Sequence, residues 1–449
     1  MRASPSRRAA AAVVVLGALL THSLATAQGA GSRAARDTTE RVSVSSSGTE
    51  GNARSFEAAL SADGRYVAFV SLASNLVPGD DNRTQDVFVR DRVAGTTRLV
   101  SVAATGSPAN LWSGVPDISA DGRYVVFQSN ASDLVAGDTN NVHDVFVRDL
   151  RSGTTKRVSV SAKGAQANLS SFNPTISADG RYVAFDTHAD NLISSSKGFG
   201  NIYVRDLRTG ALELVSVNSR EVPGNGGSYD AHISATGRFV SFDAGGWRNF
   251  SQAPRLSQTD VYLRDLLRGT TRLVSTPAEG EPTTARDERA SFSCGVSASG
   301  RYVAFESFAT DLVPGGTQDY LHHVYLRDMR RGTTWLVDRD MNGVEAVRST
   351  HGCRLSSDGR FVVFTSPARN LVPSDANHLP DVFVWNRRNH RIVRVSINNA
   401  GDQTDEVLTP GIAISANDRV VAFASLASNL VGQDTNHQSD VFVRDQSSD

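Results

Sequence analysis

Ser61-Ala62-Asp63-Gly64-Arg65-Tyr66-Val67-Ala68-Phe69 decides the fold, because the chain writes this stretch seven times. Further copies start at Ser119, Ser177, Ser234, Ser297, Ser356 and Ser415, spaced 57 to 63 residues apart. A second string, Asp86-Val87-Phe88-Val89-Arg90-Asp91, follows each copy, with versions beginning at Asp144, Asn201, Asp260, His323, Asp381 and Asp440. One supersecondary unit repeated at a period of tens of residues means a repeat architecture.

The Asp-Gly pair is a two-residue hairpin signal, set between a short apolar segment such as Pro116–Ser119 and a second apolar run. Tyr66–Phe69 is apolar on both parities, so that strand is covered on both faces. Val87–Val89 reads the same way. A fourth segment follows a Gly-Thr-Thr turn or its equivalent, at Arg98–Val102, Arg157–Val160, Glu213–Val217, Arg272–Thr276, Trp335–Asp338 and Arg394–Ile397. No amphipathic helix intervenes. Four covered strands repeated seven times predict an all-β fold: a seven-bladed β-propeller with four-stranded blades. The chain finishes on a third strand, Asp440–Asp445, and carries an orphan fourth strand at Arg41–Val44. That strand is expected to complete the last blade and close the ring, giving a single domain over 41–449.

The repeat resembles the TolB-type, or PD40, propeller repeat, whose core reads Ser-Pro-Asp-Gly before an apolar strand. Ser-Ala-Asp-Gly stands here in its place, and Pro116 and Pro174 match the upstream proline of that pattern. The resemblance runs from Arg41 to Asp445 and implies a WD40-like propeller. The α/β domain that precedes the propeller in TolB proteins has no counterpart, so a place in a Tol–Pal complex does not follow. The Gly-His and Trp-Asp marks of true WD40 repeats are missing.

Arg2, Arg7 and Arg8, the apolar run Ala9–Leu20 and the small-x-small site Ala25-Thr26-Ala27 read as a secretory signal peptide over 1–27. The apolar run is too short to span a bilayer, and no Cys beside the cut suggests a lipid anchor. Arg7-Arg8 leaves both the general and the twin-arginine export routes open. Residues 28–40 read as a flexible lead-in. The mature chain has 43 basic and 47 acidic residues, a net charge of −4, which argues against a nucleic-acid or anionic-membrane partner. Export with two cysteines invites a disulfide. Cys294 and Cys353, however, occupy the same repeat position in neighbouring blades. Residues related by rotation point head to tail, and on that ground no bridge is expected.

The hairpin rim is short and uniform among the repeats, whereas the opposite rim carries the long, variable loops. Binding is expected there, around the channel mouth. Four loops carry Asp-x-Asn-x-x-x-Asp: Asp80/Asn82/Asp86, Asp138/Asn140/Asp144, Asp375/Asn377/Asp381 and Asp434/Asn436/Asp440. Alternating oxygen ligands suit Ca²⁺, and the same residues also suit Asx-turns. Ser55, Ser113, Ser171 and Ser228 begin innermost strands, with Asn52, Asn110, Asn168 and Asn225 three residues earlier. They could ring the mouth or simply form turns. Trp112 and Trp247 lie on the same face, where they could stack on a sugar or anchor a partner. Glu57, Asp117, Asp230, His232 and Arg354 fall on channel-facing positions of the innermost strands.

Such a channel resembles that of oligogalacturonate lyases, which are propellers of related repeat with a metal held by several histidines. Only His232 meets that pattern, with His351 on the adjacent parity. The sequence reading is therefore an exported scaffold binding an extracytoplasmic protein, peptide or glycan. The alternatives are a polysaccharide lyase or hydrolase, and a calcium-stabilised surface protein.

Overall fold

The computed structural model describes residues 37–194, 200–245, 259–276, 290–317 and 321–446. Seven antiparallel four-stranded sheets follow one another, six of them simple meanders from an inner to an outer strand, the seventh taking its outer strand from the N-terminal side of the chain. Blade one is Ser55–Leu60, Tyr66–Ser71, Asp86–Asp91 and Thr96–Leu99. No helix among the described residues is long and apolar enough to cross a membrane.

The two repeat strings explain themselves at the hairpin rim. The Ser61 hydroxyl donates to Asp63 (2.7 Å) and accepts from the Tyr66 amide (2.9 Å). Gly64 turns at φ 72°, and a Cβ there would collide with Val420 of the preceding blade. At Gly122, Gly180 and Gly359 the collision would be with a neighbouring Tyr ring. Arg65 bonds Asp91 through two nitrogens, at 2.8 and 2.6 Å, and lies over the Tyr66 ring at 4.9 Å. The first string is thereby tied to the last residue of the second. Inside each blade an aromatic pair stacks between the second and third strands, from Phe69–Phe88 at 5.8 Å to Phe423–Phe442 at 6.0 Å. The most repeated residues are thus occupied with the scaffold.

The ring closes as expected, three residues early. The latch is Thr38–Arg41, pairing Thr38 with Asp445 and Arg41 with Phe442. Val42 adds one more bond to the Val441 carbonyl at 2.8 Å. Residues 38–40, expected in the flexible lead-in, are strand. The fourth strands of blades one, two, four and five likewise start earlier, at the Thr-Thr pair; in blade one the Asp91–Gly95 turn closes at once with a 2.8 Å bond.

The cysteine expectation is corrected: Cys294 and Cys353 are bonded, with Cα atoms 5.2 Å apart. The symmetry argument fails because the blades are not equivalent there. Each inner strand carries a bulge. Its left-handed residue is Glu57, Val115, Asn173, Asp230, Gly352 or Gly411 in six blades. In blade five that conformation moves two residues on, to Gly295 at φ 138°, and Cys294 becomes the extra residue of the bulge. A shifted bulge re-aims its side chain. Gly295 itself sits against Leu355 of blade six.

Candidate functional site

The acidic loops bring their side chains together, but with an occupant in most of them. Asn82 turns its amide nitrogen toward Asp86 (2.6 Å) and the Ala109 carbonyl (2.8 Å), so its NH₂ rather than its oxygen faces the carboxylate. The Ser101 hydroxyl donates to the same Asp86 at 2.6 Å. Asn140 and Asn436 repeat the contact on Asp144 and Asp440, while Asn377 bonds Thr404. Between the paired carboxylates of three loops lies a guanidinium. Arg157 is 3.0 Å from both Asp138 and Asp144. Arg394 reaches Asp375 and Asp381, and Arg41 reaches Asp434 and Asp440. These arginines share one register position, the last residue of the outer strand. Blade one has Leu99 there. In blade one burial, then the charge of Asp81, push Asp80 up to about 6, and burial pushes Asp86 up to about 7; burial also raises Asp434 to about 6 beside Arg41.

The calcium reading therefore narrows to the carboxylates of Asp80 and Asp86, since Asn82 Oδ1 is taken by the Thr84 amide at 3.1 Å. Arg157→Leu recreates that situation in the second loop. It is expected to cost about 3 kcal/mol, because an uncompensated buried charge remains. Millimolar Ca²⁺ should recover part of the loss by mass action. A variant that melts with the parent, with or without calcium, would show that the guanidinium does not hold these carboxylates.

The hydroxyl ring does not line the mouth. Ser55, Ser113, Ser171 and Ser228 are fully buried. The first two donate to Ser71 and Ser129 on the second strand at 2.9 Å, and Ser171 donates to Thr187 at 2.9 Å. The asparagines clamp each inter-blade connection to the loop after the second strand. The Asn52 amide donates to Ser74 (3.0 Å), and Asn52 Oδ1 accepts from the Ser74 amide (2.9 Å). Asn110 and Asn168 repeat this with Ser132 and Asp190. Asn225 is exposed. Trp247 lies outside the described residues.

A cavity of about 440 Å³ fills the channel, lined by Asp117, Asn173, Asp230, His232 and Arg354 among others. Glu57 reaches across blades to accept the Val115 amide at 3.0 Å. Asp117 takes the amides of Ile118 (2.9 Å) and Ile176 (2.8 Å). Asn173 donates to Asp230 at 2.9 Å. His232 bonds the Ser293 carbonyl at 3.2 Å, and burial, then Arg354, push its imidazole down to about 3. Burial raises the carboxyls of Glu57, Asp117 and Asp230. Arg354 bonds only its neighbour's carbonyl, that of Cys353, and forms no ion pair among the described residues.

A second polar set was missed by the sequence reading. The fifth residue of each second strand is Val70, Gln128, Asp186, Asp243, Glu306, Thr365 or Ala424. Gln128, Asp186, Asp243 and Glu306 are buried, and two of them accept bulge amides of the next blade. Asn173 donates to Gln128 at 2.9 Å and Ser293 to Asp243 at 2.5 Å. Burial pushes Asp186 and Glu306 up to about 7 and Asp243 well above the usual carboxylate range. The signal was present: a polar residue interrupts an otherwise apolar strand in consecutive repeats.

Above the cavity, on the long-loop rim, aromatic rings and imidazoles form an arc. Trp112 meets His143 at 5.3 Å, His143 meets Phe172 at 5.6 Å, Phe172 meets His188 at 5.8 Å, and His188 meets Tyr229 at 6.1 Å. Past blade four it continues with Phe292, His322, Phe308 and His351. Phe172, Tyr229, Phe292 and His351 follow the hydroxyl position directly in sequence. Where blade two has Gly114 at that position, the Trp112 ring takes the space. Tyr229 and Phe292 are 41% and 37% exposed.

No family model and no curated protein matches the chain. Among solved structures, an oligogalacturonate lyase in complex with manganese is similar over 92% of this chain and 96% of its own, at 12% identity and TM-score 0.54. An oligogalacturonate lyase from Vibrio parahaemolyticus follows over 92% and 97%, at 11% identity and TM-score 0.51. TolB from Acinetobacter baumannii aligns over 86% and 81%, at 13% identity and TM-score 0.39. At these identities the likeness to the lyases shows a shared propeller fold, which by itself assigns no activity.

Proposed function

We propose that this protein is an exported binding module that holds an extracytoplasmic glycan at the long-loop mouth of its channel. The observation that carries the reading is the arc of aromatic and imidazole rings above a polar cavity. Flat apolar rings stack on sugar faces, and neighbouring polar groups take the hydroxyls. Export rests on the leader-like N-terminus. The repeated residues build the scaffold, so the parts that differ between blades carry recognition.

The test is a saccharide panel against the mature protein by calorimetry. Tyr229→Ala and Phe292→Ala should each weaken binding about fivefold to tenfold, the loss of about 1 kcal/mol per stacking ring. Melting temperature should hold, since both rings are exposed. A panel with no binder, alongside capture of a peptide or protein ligand, would replace the glycan.

A second reading is favoured by the channel carboxyls of Glu57, Asp117 and Asp230, raised by burial with Arg354 acting against the rise, since perturbed groups cluster at catalytic sites. On that reading the channel cleaves a polysaccharide. Following reducing ends and unsaturated products on the same panel separates the two. Turnover abolished by Asp230→Asn would establish the enzyme.

A further inference from the structure

We propose that Glu306, His322 and His351 form a site for a first-row transition-metal dication at the loop-side mouth, between blades five and six. The three side chains come from separate segments. Glu306 stands near the end of a second strand, His322 just before the next third strand, and His351 opens the inner strand of blade six. Their donor atoms all lie within 4.8 Å of one another. His322 Nδ1 is 3.2 Å from His351 Nδ1 and 3.3 Å from Glu306 Oε2. Ligands about 2.1 Å from a metal, at tetrahedral or octahedral angles, stand about 3.0–3.4 Å apart. These two edges fall within that range.

Hydrogen bonding alone accounts poorly for the cluster. His322 Nδ1 carries either one proton or one lone pair, and it faces both an imidazole nitrogen and a carboxylate. A cation at the shared point satisfies all three groups. His322 is 5% exposed, and ligation through its Nδ1 would place the ring proton on the buried Nε2. Phe308 stacks on the His322 ring at 4.3 Å and holds its plane. The Thr365 hydroxyl donates to the His351 carbonyl and steadies the third ligand. His351 is exposed, so the ion has an entry path and open coordination positions toward the mouth. Two imidazoles and one carboxylate suit Zn²⁺, Mn²⁺ or Fe²⁺ rather than the all-oxygen shells of Ca²⁺.

The test uses metal-stripped mature protein with its disulfide intact. Thiol reductant is left out, because freed Cys294 and Cys353 would lie within ligand distance of Glu306. Zn²⁺ titration should give one site per chain, unaffected by excess Ca²⁺. The Co²⁺-loaded protein should show ligand-field absorption. His351→Ala, at an exposed position, and E306Q should each weaken Zn²⁺ binding at least a hundredfold, with the His351→Ala melting curve unchanged. Absence of stoichiometric binding would overturn the proposal. So would equal affinity in His351→Ala, which would place the ion on other surface histidines.

Discussion

A mature chain cut to begin at Ser47 will melt about 10 °C below the intact one and will associate in solution. The cut removes Thr38–Arg41, the outer strand of the last blade, together with Val42–Ser46. Val42 and Val44 are buried at 1% and 7% exposure, and losing both contributes about 4 kcal/mol. Arg41 leaves Asp434 and Asp440 without their guanidinium, and an orphaned buried charge costs about 4 kcal/mol more. Ser43, which donates to Asp440 at 2.5 Å, goes too. About 8 kcal/mol, set against an unfolding entropy of about 0.8 kcal/mol per degree for a domain this size, gives the expected shift. Asp440–Asp445 then becomes an open edge, and open edges pair with other chains. Arg41→Met separates the two contributions. It should cost only the charge term and stay monomeric, because the strand remains. If the truncated chain melts and sediments as the intact one does, the latch does not close the ring.

What could be read from the sequence follows from how often each feature recurs. The hairpin residues Ser61, Asp63, Gly64, Arg65 and Asp91 recur in most or all repeats, because every blade needs the same turn and five blades share the same Arg–Asp tie. They gave the fold, the blade count and the latch. The register of the latch was misplaced by three residues because Val42 and Val44, the most apolar pair, pack beyond the ladder while Thr38–Arg41 form it. The acidic loops were read without their partner. Arg157, Arg394 and Arg41 stand at the end of an outer strand, far along the chain from the carboxylates in two senses: 13 and 19 residues separate Arg157 from Asp144 and Asp138, and 399 residues separate Arg41 from Asp440. The pattern was nevertheless visible, since blades three, four and five lack both the motif and the arginine. The mouth was harder. His322 and Glu306 carry no motif, and only the fold brings them to His351.

Loss of the Cys294–Cys353 bridge is the other large effect expected. Both sulfurs lie in the wall between blades five and six, at 3% and 1% exposure. The bond closes a loop across 59 residues of sequence, which by chain entropy contributes about 4 kcal/mol. Cys294→Ala/Cys353→Ala should therefore lower the melting temperature by about 5 °C on the same entropy scale. The ring itself should survive, because about 400 residues in one closed propeller bury ample apolar surface without it. Denatured but unreduced protein should offer no thiol to an alkylating reagent, and reduced protein should offer two. The native fold should resist reduction until it opens, since neither sulfur is reached from solvent. Two alkylatable thiols without reductant, or a double variant as stable as the parent, would return the cysteines to the unbridged arrangement that blade symmetry suggests. A bridge confirmed in this way would also mark blades five and six as the place where the ring departs from its repeat. The shifted bulge at Gly295, the buried Glu306 and the paired imidazoles of His322 and His351 all meet at that seam.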